Sequence, residues 1–367
     1  MTDALRSLPW FDAHLDLACL AVNGRDLAAP LERCGGPWQP AAVCLPSLRA
    51  GRVHACLATI FTEAGGAGPE GYPAGDAERA YAVGRAQLEV YLTLRDRGLL
   101  AIDLPWALRA DPGVGEIRGG MGVAEVVPPV PSHQLAALGR DGRLHIGILI
   151  EGADVVRSPD ELAWWAERGA CAVGMAWWKP SRYAGGNGTT TGLTDLGRAL
   201  AKEIDAAGLV HDLSHLSDNA ADDLLALTGA AVIASHSNCR ALLGPDKQGN
   251  PNQRHLQDRH IAEIARRGGV IGLNLFDQFL RDGGAATVDD CVRHVERVCE
   301  VAGSRSHIGL GSDMDGGLTA EQLPRGIRSP SDLPALLGAL ASRGWSEEDL
   351  EGFACGNWVR FWRTRAR

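Results

Sequence analysis

Six ionisable side chains stand directly after short apolar runs: His14 and Asp16 after PWFDA, Glu151 after IGILI, His215 after LVHDLS, His236 after VIAS, and Asp313 after HIGLGS. Burying such groups unpaired costs several kcal/mol each. If the runs are strands whose ends meet at one level, the six side chains share a cup. Carboxylates crowded into a partly dry cup repel one another and lose hydration, and a divalent cation offsets both effects. Mixed nitrogen and oxygen donors suit Zn²⁺, with Mn²⁺, Co²⁺ and Fe²⁺ as competitors. Three imidazoles and three carboxylates are more donors than one ion uses. Glu151 has two oxygens and can bridge a pair of ions ~3.5–4 Å apart. His14 and Asp16, two apart on a strand, point to the same side. His215 and His236 come from two further strands.

The elements that must position these groups are legible as β-rich apolar runs at residues 9–13, 53–61, 146–150, 171–177, 209–213, 231–235, 269–275 and 307–312. Helical stretches lie between them. Start signals include Ser158-Pro159-Asp160-Glu161 before LAWWAERG, Ser217-Asp218 before NAADDLLAL and Thr287 before VDDCVRHVERVCEVAG. Near-continuous apolar strands such as IGILI and AAVIA imply burial on both faces, as in a parallel sheet covered by helices. Eight strand–helix units predict an α/β fold, a (β/α)8 barrel, and in such a barrel the carboxyl ends of all strands open on one mouth. Residues 62–145 hold more than one crossover, with a long helix at roughly 76–97 and the Gly/Pro-rich stretch 111–132. They are read as insertions after early strands. Segments 184–195 and 244–254, rich in Gly and Asn, form loops over the same mouth. No linker or repeat divides the chain, so residues 1–367 are expected to form one catalytic domain.

The 367 residues are 45% hydrophobic and 22% charged, the balance of an ordinary globular protein. The net charge of −9 offers no basic surplus for a nucleic-acid backbone. No apolar run approaches the ~18 residues that span a bilayer. The start MTDALRSLPWFDAHLD lacks the basic and apolar regions of a signal peptide, and the end RFWRTRAR lacks the apolar tail of a lipid anchor signal. A cytoplasmic protein without membrane partners is expected. Nine cysteines, none spaced CxxC, read as reduced and buried.

Other readings of the same residues are weaker. Asp212, Ser214 and His215 supply the parts of a serine hydrolase, but a serine adjacent to its own base cannot easily reach it, and no GxSxG elbow exists. Asp315, followed by two glycines, reads as a loop-stabilising carboxylate. His54, His133, His145, His260, His294 and His307 fall inside elements or in loops away from strand ends and read as structural, and His211 faces away from Asp212. GVGEIRG near residue 113 follows Asp-Pro, not a strand, and does not read as a nucleotide loop.

FDAHLDL, LIEGAD, GLTDLGRALAKEIDAAGLVHDLSH, ASHSNCRAL, RHLQD, GGVIGLN, GLGSDMDG and the closing GNWVRF resemble, in order and spacing, the membrane (renal) dipeptidase family, peptidase family M19, of the amidohydrolase-type barrels. The resemblance implies that His14, Asp16 and Glu151 hold one zinc and Glu151, His215 and His236 the other. It implies that Arg254 pairs with a substrate carboxylate through a bidentate fork and that Asp313 moves the proton between water and leaving amine. It also implies a homodimer, and a binuclear zinc dipeptidase that hydrolyses dipeptides or similar small carboxylated amides with water activated to hydroxide by the metal pair.

The chain departs from the family in three places. GACAVGMAWW stands where the family reads GVRYLTLTHN, so Trp177 replaces a substrate-contacting histidine. Loss of one such oxyanion donor costs ~2.7–4 kcal/mol. Leu15 replaces an asparagine between two ligands. RHLQD replaces RNxxD, with about seven extra residues between His236 and Arg254. Trp177 leaves open an amidohydrolase acting on another acyl amino acid or a cyclic amide. A catalytically silent ligand-binding barrel is the reading from another class.

Overall fold

The structure is a computed structural model that describes residues 7–104, 139–246 and 249–364. The Gly/Pro-rich stretch 111–132, GVGEIRG and His133 lie outside the described residues. Eight parallel strands form the barrel: β1 (Trp10–Leu15), β2 (Val53–Phe61), β3 (Leu144–Glu151), β4 (Ala170–Gly174), β5 (Val210–Asp212), β6 (Val232–Ile233), β7 (Ile271–Leu273) and β8 (Ile308–Leu310). Each pairs with its sequence neighbours, and β8 pairs with β1. The Ala234 N–H donates to Val270 O at 3.2 Å and the Gly272 N–H to Ala234 O at 2.8 Å, which joins β6 to β7 and nearly closes the ring. All eight predicted strands are present.

β3 is buried at every position, as a strand covered on both faces must be. Leu144, Ile146, Ile148 and Ile150 pack outward against the helices, whereas Leu149 packs inside the barrel. The strand repeat therefore turns Glu151 inward at the upper end. β1 is less regular. Asp12 pairs with Cys56 and Leu15 with Ala58, so a bulge places three steps of β1 against two of β2. Trp10 and Leu15 both reach the outer layer, and Phe11 and Ala13 the inner one.

Two helices of the outer layer follow the start signals read at Ser217 and Thr287, and the long helix opens on a cap at Asp76 not singled out in the sequence. Asp76 accepts from the Arg79 N–H at 3.0 Å to cap Ala77–Asp96, and Ser217 accepts from the Ala220 N–H at 3.1 Å to cap Asp218–Leu227. Asp290 accepts from the Thr287 N–H at 2.9 Å to open Val288–Ala302. Ser158 does not cap. The Arg157 N–H donates instead to Glu161 at 2.9 Å, and only a short helix, Leu162–Ala166, follows.

Between β2 and β3 the chain adds a small parallel pair, Glu63–Ala64 with Gly71–Tyr72, then the long helix, then strand Leu100–Ile102 beside β3. The opposite mouth of the barrel is plugged by the helix Asn357–Arg363. Trp358 stacks on Phe11 at 5.7 Å and donates its indole N–H to Leu310 O at 3.0 Å. A Cβ at Gly309 would sit 2.5 Å from that indole nitrogen, so the close approach requires glycine. All nine cysteines are free, and all but Cys299 are buried. Among the described residues, no helix is long and apolar enough to cross a membrane.

Candidate metal centre

His14, Asp16, Glu151, His215, His236 and Asp313 all arrive at the carboxyl-end mouth, each less than a tenth exposed. Glu151 lies between the imidazoles. Its Oε2 is 3.3 Å from His14 Nε2, and its Oε1 is 3.3 Å from His215 Nε2 and 3.6 Å from His236 Nε2. Asp16 Oδ1 is 3.7 Å from His14 Nε2 and accepts from the Thr59 hydroxyl. Ligand atoms of His14, Glu151 and His236 fall within 4.8 Å of one another, as do those of His14, Asp16 and Asp313. His14 thus belongs to both groups.

Two residues of the cup occupy the left-handed backbone region, His215 at φ 65° and Asp313 at φ 59°. Such strain in non-glycine residues persists only where the surroundings over-determine it. Gly316 lets the loop fold over the carboxylates, since a Cβ there would lie 1.9 Å from Asp313 Oδ1 and 2.8 Å from Asp16 Oδ2.

The charges are unbalanced. Burial disfavours protonation of His14, but the carboxylates of Glu151, Asp16 and Asp313 overcome it and hold the imidazole up to about 10. Burial pushes Asp313 up to about 7, against the opposing pull of His14. Burial holds His215 and His236 well below the usual imidazole range, with Arg254 and His14 adding to the effect. Both rings are therefore neutral, yet their Nε2 atoms face each other at 2.9 Å. The other nitrogen of each is engaged: His215 Nδ1 lies 2.9 Å from Asn187 Oδ1, and His236 Nδ1 lies 2.7 Å from Ser235 Oγ. An Nδ1–H donated to Asn187 Oδ1 leaves the His215 Nε2 lone pair facing His236 Nε2 beside a carboxylate oxygen, a donor set that fits a cation.

Arg254 is buried at the edge of this cup. It donates to His236 O at 2.8 Å and to Ser237 Oγ at 3.2 Å and lies over the Phe279 ring at 5.0 Å, while its Nε has no partner among the described residues. Trp177, half-buried, lies past the end of β4, edge-on to Phe61 at 5.0 Å and 6.0 Å from the His215 ring. The serine-hydrolase reading fails on contacts. Ser214 Oγ accepts from the His236 N–H at 3.2 Å, and both His215 nitrogens are turned elsewhere. Asp315 is the loop anchor expected of it, bound to Arg25 and to the Val43 N–H at 2.8 Å. His211 turns outward to Asp205 at 2.9 Å.

The residues that hold the donors carried little signal. Asp12 accepts from the Ser312 N–H at 2.8 Å and the His14 N–H at 3.2 Å. Asp212 accepts from the Ser235 N–H at 2.9 Å and the Ser214 N–H at 3.0 Å. The one available clue is order: a serine directly precedes His236 and Asp313, and an aspartate stands just upstream of His14 and His215.

Residues 129–367 match the sequence model of the membrane dipeptidase family, peptidase family M19. The chain belongs to that family. A curated member-like relative, an uncharacterized dipeptidase of Schizosaccharomyces pombe, is 31% identical over 180 residues, 49% of this chain and 42% of that protein. The chain thus spans less than half the length of that relative. Among solved structures, a dipeptidase described as a metallopeptidase of family M19 is 25% identical, with a TM-score of 0.73 over 97% of this chain and 99% of that one. A metallopeptidase from Rhodobacter sphaeroides, solved with a phosphinate mimic of L-Ala-D-Ala, is 24% identical, with a TM-score of 0.74 and the same coverage. The barrel fold is therefore common ground between this chain and these two structures.

Proposed function

We propose that this M19 chain is a dipeptidase that hydrolyses the amide bond of dipeptides or similar small carboxylated amides with a pair of divalent ions, zinc being the first choice. One observation carries the reading. The Nε2 atoms of His215 and His236 meet at 2.9 Å beside Glu151 Oε1, while the second Glu151 oxygen faces His14, so a single carboxylate divides its oxygens between two donor groups. His14, Asp16 and Glu151 would hold one ion, and Glu151, His215 and His236 the other. Bound ions would supply Lewis acidity, bringing the pKa of a water toward ~7 and polarising the scissile carbonyl.

The protein's own groups complete the chemistry. Asn274 Nδ2 donates to Asp313 Oδ2 at 2.8 Å, which leaves Oδ1 to take a proton from water and return it to the leaving amine. Arg254 would pair with the substrate carboxylate, its Nε being a buried donor without a partner among the described residues. Trp177 would wall the site beside His215. A cytoplasmic location accords with nine free cysteines. We propose a homodimer, in which Trp178, 51% exposed, is a large apolar side chain among the described residues that a partner would cover; light scattering of the purified protein reads the mass.

Metal analysis together with a dipeptide hydrolysis screen tests the reading. Two equivalents of zinc and release of free amino acids are expected. Two bound ions without turnover on any amide assign a silent binding barrel instead, and absence of bound metal overturns the proposal.

A further inference from the structure

Ser235 is fully buried at the upper end of β6, and its hydroxyl touches three of the groups already described. Asp212 Oδ2 lies 2.5 Å from Ser235 Oγ, His236 Nδ1 2.7 Å and His14 Nδ1 3.3 Å. A serine hydroxyl has one proton and two acceptor lone pairs. A carboxylate only accepts, so the Ser235 proton is committed to Asp212. Ser214 Oγ, at 3.4 Å, is a longer alternative. Both lone pairs of Ser235 are then left for the two imidazoles, and each ring nitrogen facing them must carry a hydrogen. The two rings are stacked, with centroids 3.5 Å apart and 25° between their planes, so they present the same edge to the one hydroxyl.

We infer that the Asp212–Ser235 pair is a tautomer lock shared by His14 and His236, fixing Nδ1–H on both rings so that each ring offers its Nε2 to an ion, His14 by giving up the Nε2 proton it otherwise shares with Glu151. This rests on the two-ion reading above, in which His14 and His236 serve different ions. Asp212 and Ser235 are positioning residues: neither touches the cup except through an imidazole. Asn187 does the corresponding work for His215 alone. One hydroxyl thus ties the two ion positions together, and a loss there reaches both.

Two-step zinc titration against a competing chelator separates the cases. Removal of an outer-shell partner lowers metal affinity on the order of 10–100-fold. Ser235→Ala is expected to weaken both steps by that factor, Asn187→Ala to weaken one, and Ser235→Thr, which keeps the hydroxyl, to restore both. Equal two-step affinities in Ser235→Ala and the unmodified protein overturn the lock and leave the two-ion reading intact. Failure of the unmodified protein to bind zinc overturns both. Should Ser235→Ala not fold, nitrogen-15 spectra of the zinc-loaded unmodified protein decide. Hydrogen-bearing Nδ1 on both His14 and His236 supports the lock, and coordination of either ring through Nδ1 overturns it.

Discussion

Leu149 and Glu151 stand two residues apart on β3 and face the same way, yet they belong to regions of opposite chemistry. The lower inner layer is Phe11, Leu57, Leu149, Val210 and Ile233, sealed from below by Trp358, Phe361 and Trp362. One strand repeat higher, Leu57 gives way to Thr59, Leu149 to Glu151, Val210 to Asp212 and Ile233 to Ser235, all buried. The two layers are equally hidden from water. What differs is that the polar groups above each have a partner or a donor role, whereas the layer below is apolar side chains packed on one another, with the plug tied on by the Trp358 indole N–H to Leu310 O. Burial by itself therefore does not set the chemistry of a position in this barrel; height along the strand does.

The largest expected break in this contrast is Glu151→Gln. It keeps the volume and removes the one carboxylate that faces both donor groups. Metal affinity should fall by more than the 10–100-fold typical of an outer-shell partner, and dipeptide turnover should vanish with it. Retention of two zinc equivalents in this variant would place the charge that holds them elsewhere. Asp313→Asn is narrower. It should keep both ions and lower turnover by ~10²–10⁴, the usual worth of a positioned acid–base group. Unchanged turnover refutes the proton-transfer role.

Trp358→Ala attacks the lower layer. Loss of a buried tryptophan side chain costs about 3–5 kcal/mol, and the Leu310 carbonyl also loses the indole donor. Denaturant unfolding should show that loss, while zinc affinity of the folded protein stays as it was. A parallel drop in zinc affinity would mean that the plug and the cup are coupled and the two layers are not independent.

The eight strands and the six groups at their ends were legible because each apolar run ends in an abrupt polar residue, and buried parallel strands leave few other places for such a residue. Ser235 and Asp12 were not legible. A serine or an aspartate inside a strand-end segment has many common local uses, and only the pairing of β5 with β6 and of β8 with β1 shows which backbone each one reaches. The bulge in β1 was equally hidden. An alternation count places His14 and Asp16 on one face of a regular strand, whereas the chain bends after Asp12 and Asp16 opens the helix Leu17–Val22. Ser158 carried a sound capping signal, but its side chain makes no cap hydrogen bond, and the Glu161 carboxylate accepts from the Arg157 N–H rather than from that of Ser158. The exchange of histidine for Trp177 was visible as residues, but its surroundings, Phe61 and the His215 ring, come from strands far apart in the chain.

The smallest effect sits at the entrance of the same strand that ends in Glu151. His145 on β3 lies 3.0 Å from Asp103 Oδ1 through Nδ1 and 3.3 Å from Asp141 Oδ1 through Nε2. Its hydrogen bond with Asp103 leads the effects that raise its pKa above the ordinary 6.5, against the opposing effect of burial. A group whose folded pKa is raised contributes stability that is fully present below the unfolded value and is lost as pH climbs through the folded one. His145→Gln should therefore destabilise the protein at pH 6 and lose most of that effect at alkaline pH. Both carboxylates are about a third exposed, so the difference should be about 1 kcal/mol or less, read as the gap between unfolding midpoints at the two pH values. A gap that does not change with pH would make His145 a packing residue. The contacts of His145 with Asp103 and Asp141 at the lower end of β3 would then be structural in the same sense as Leu149, and the chemical contrast between the two ends of the strand would be complete.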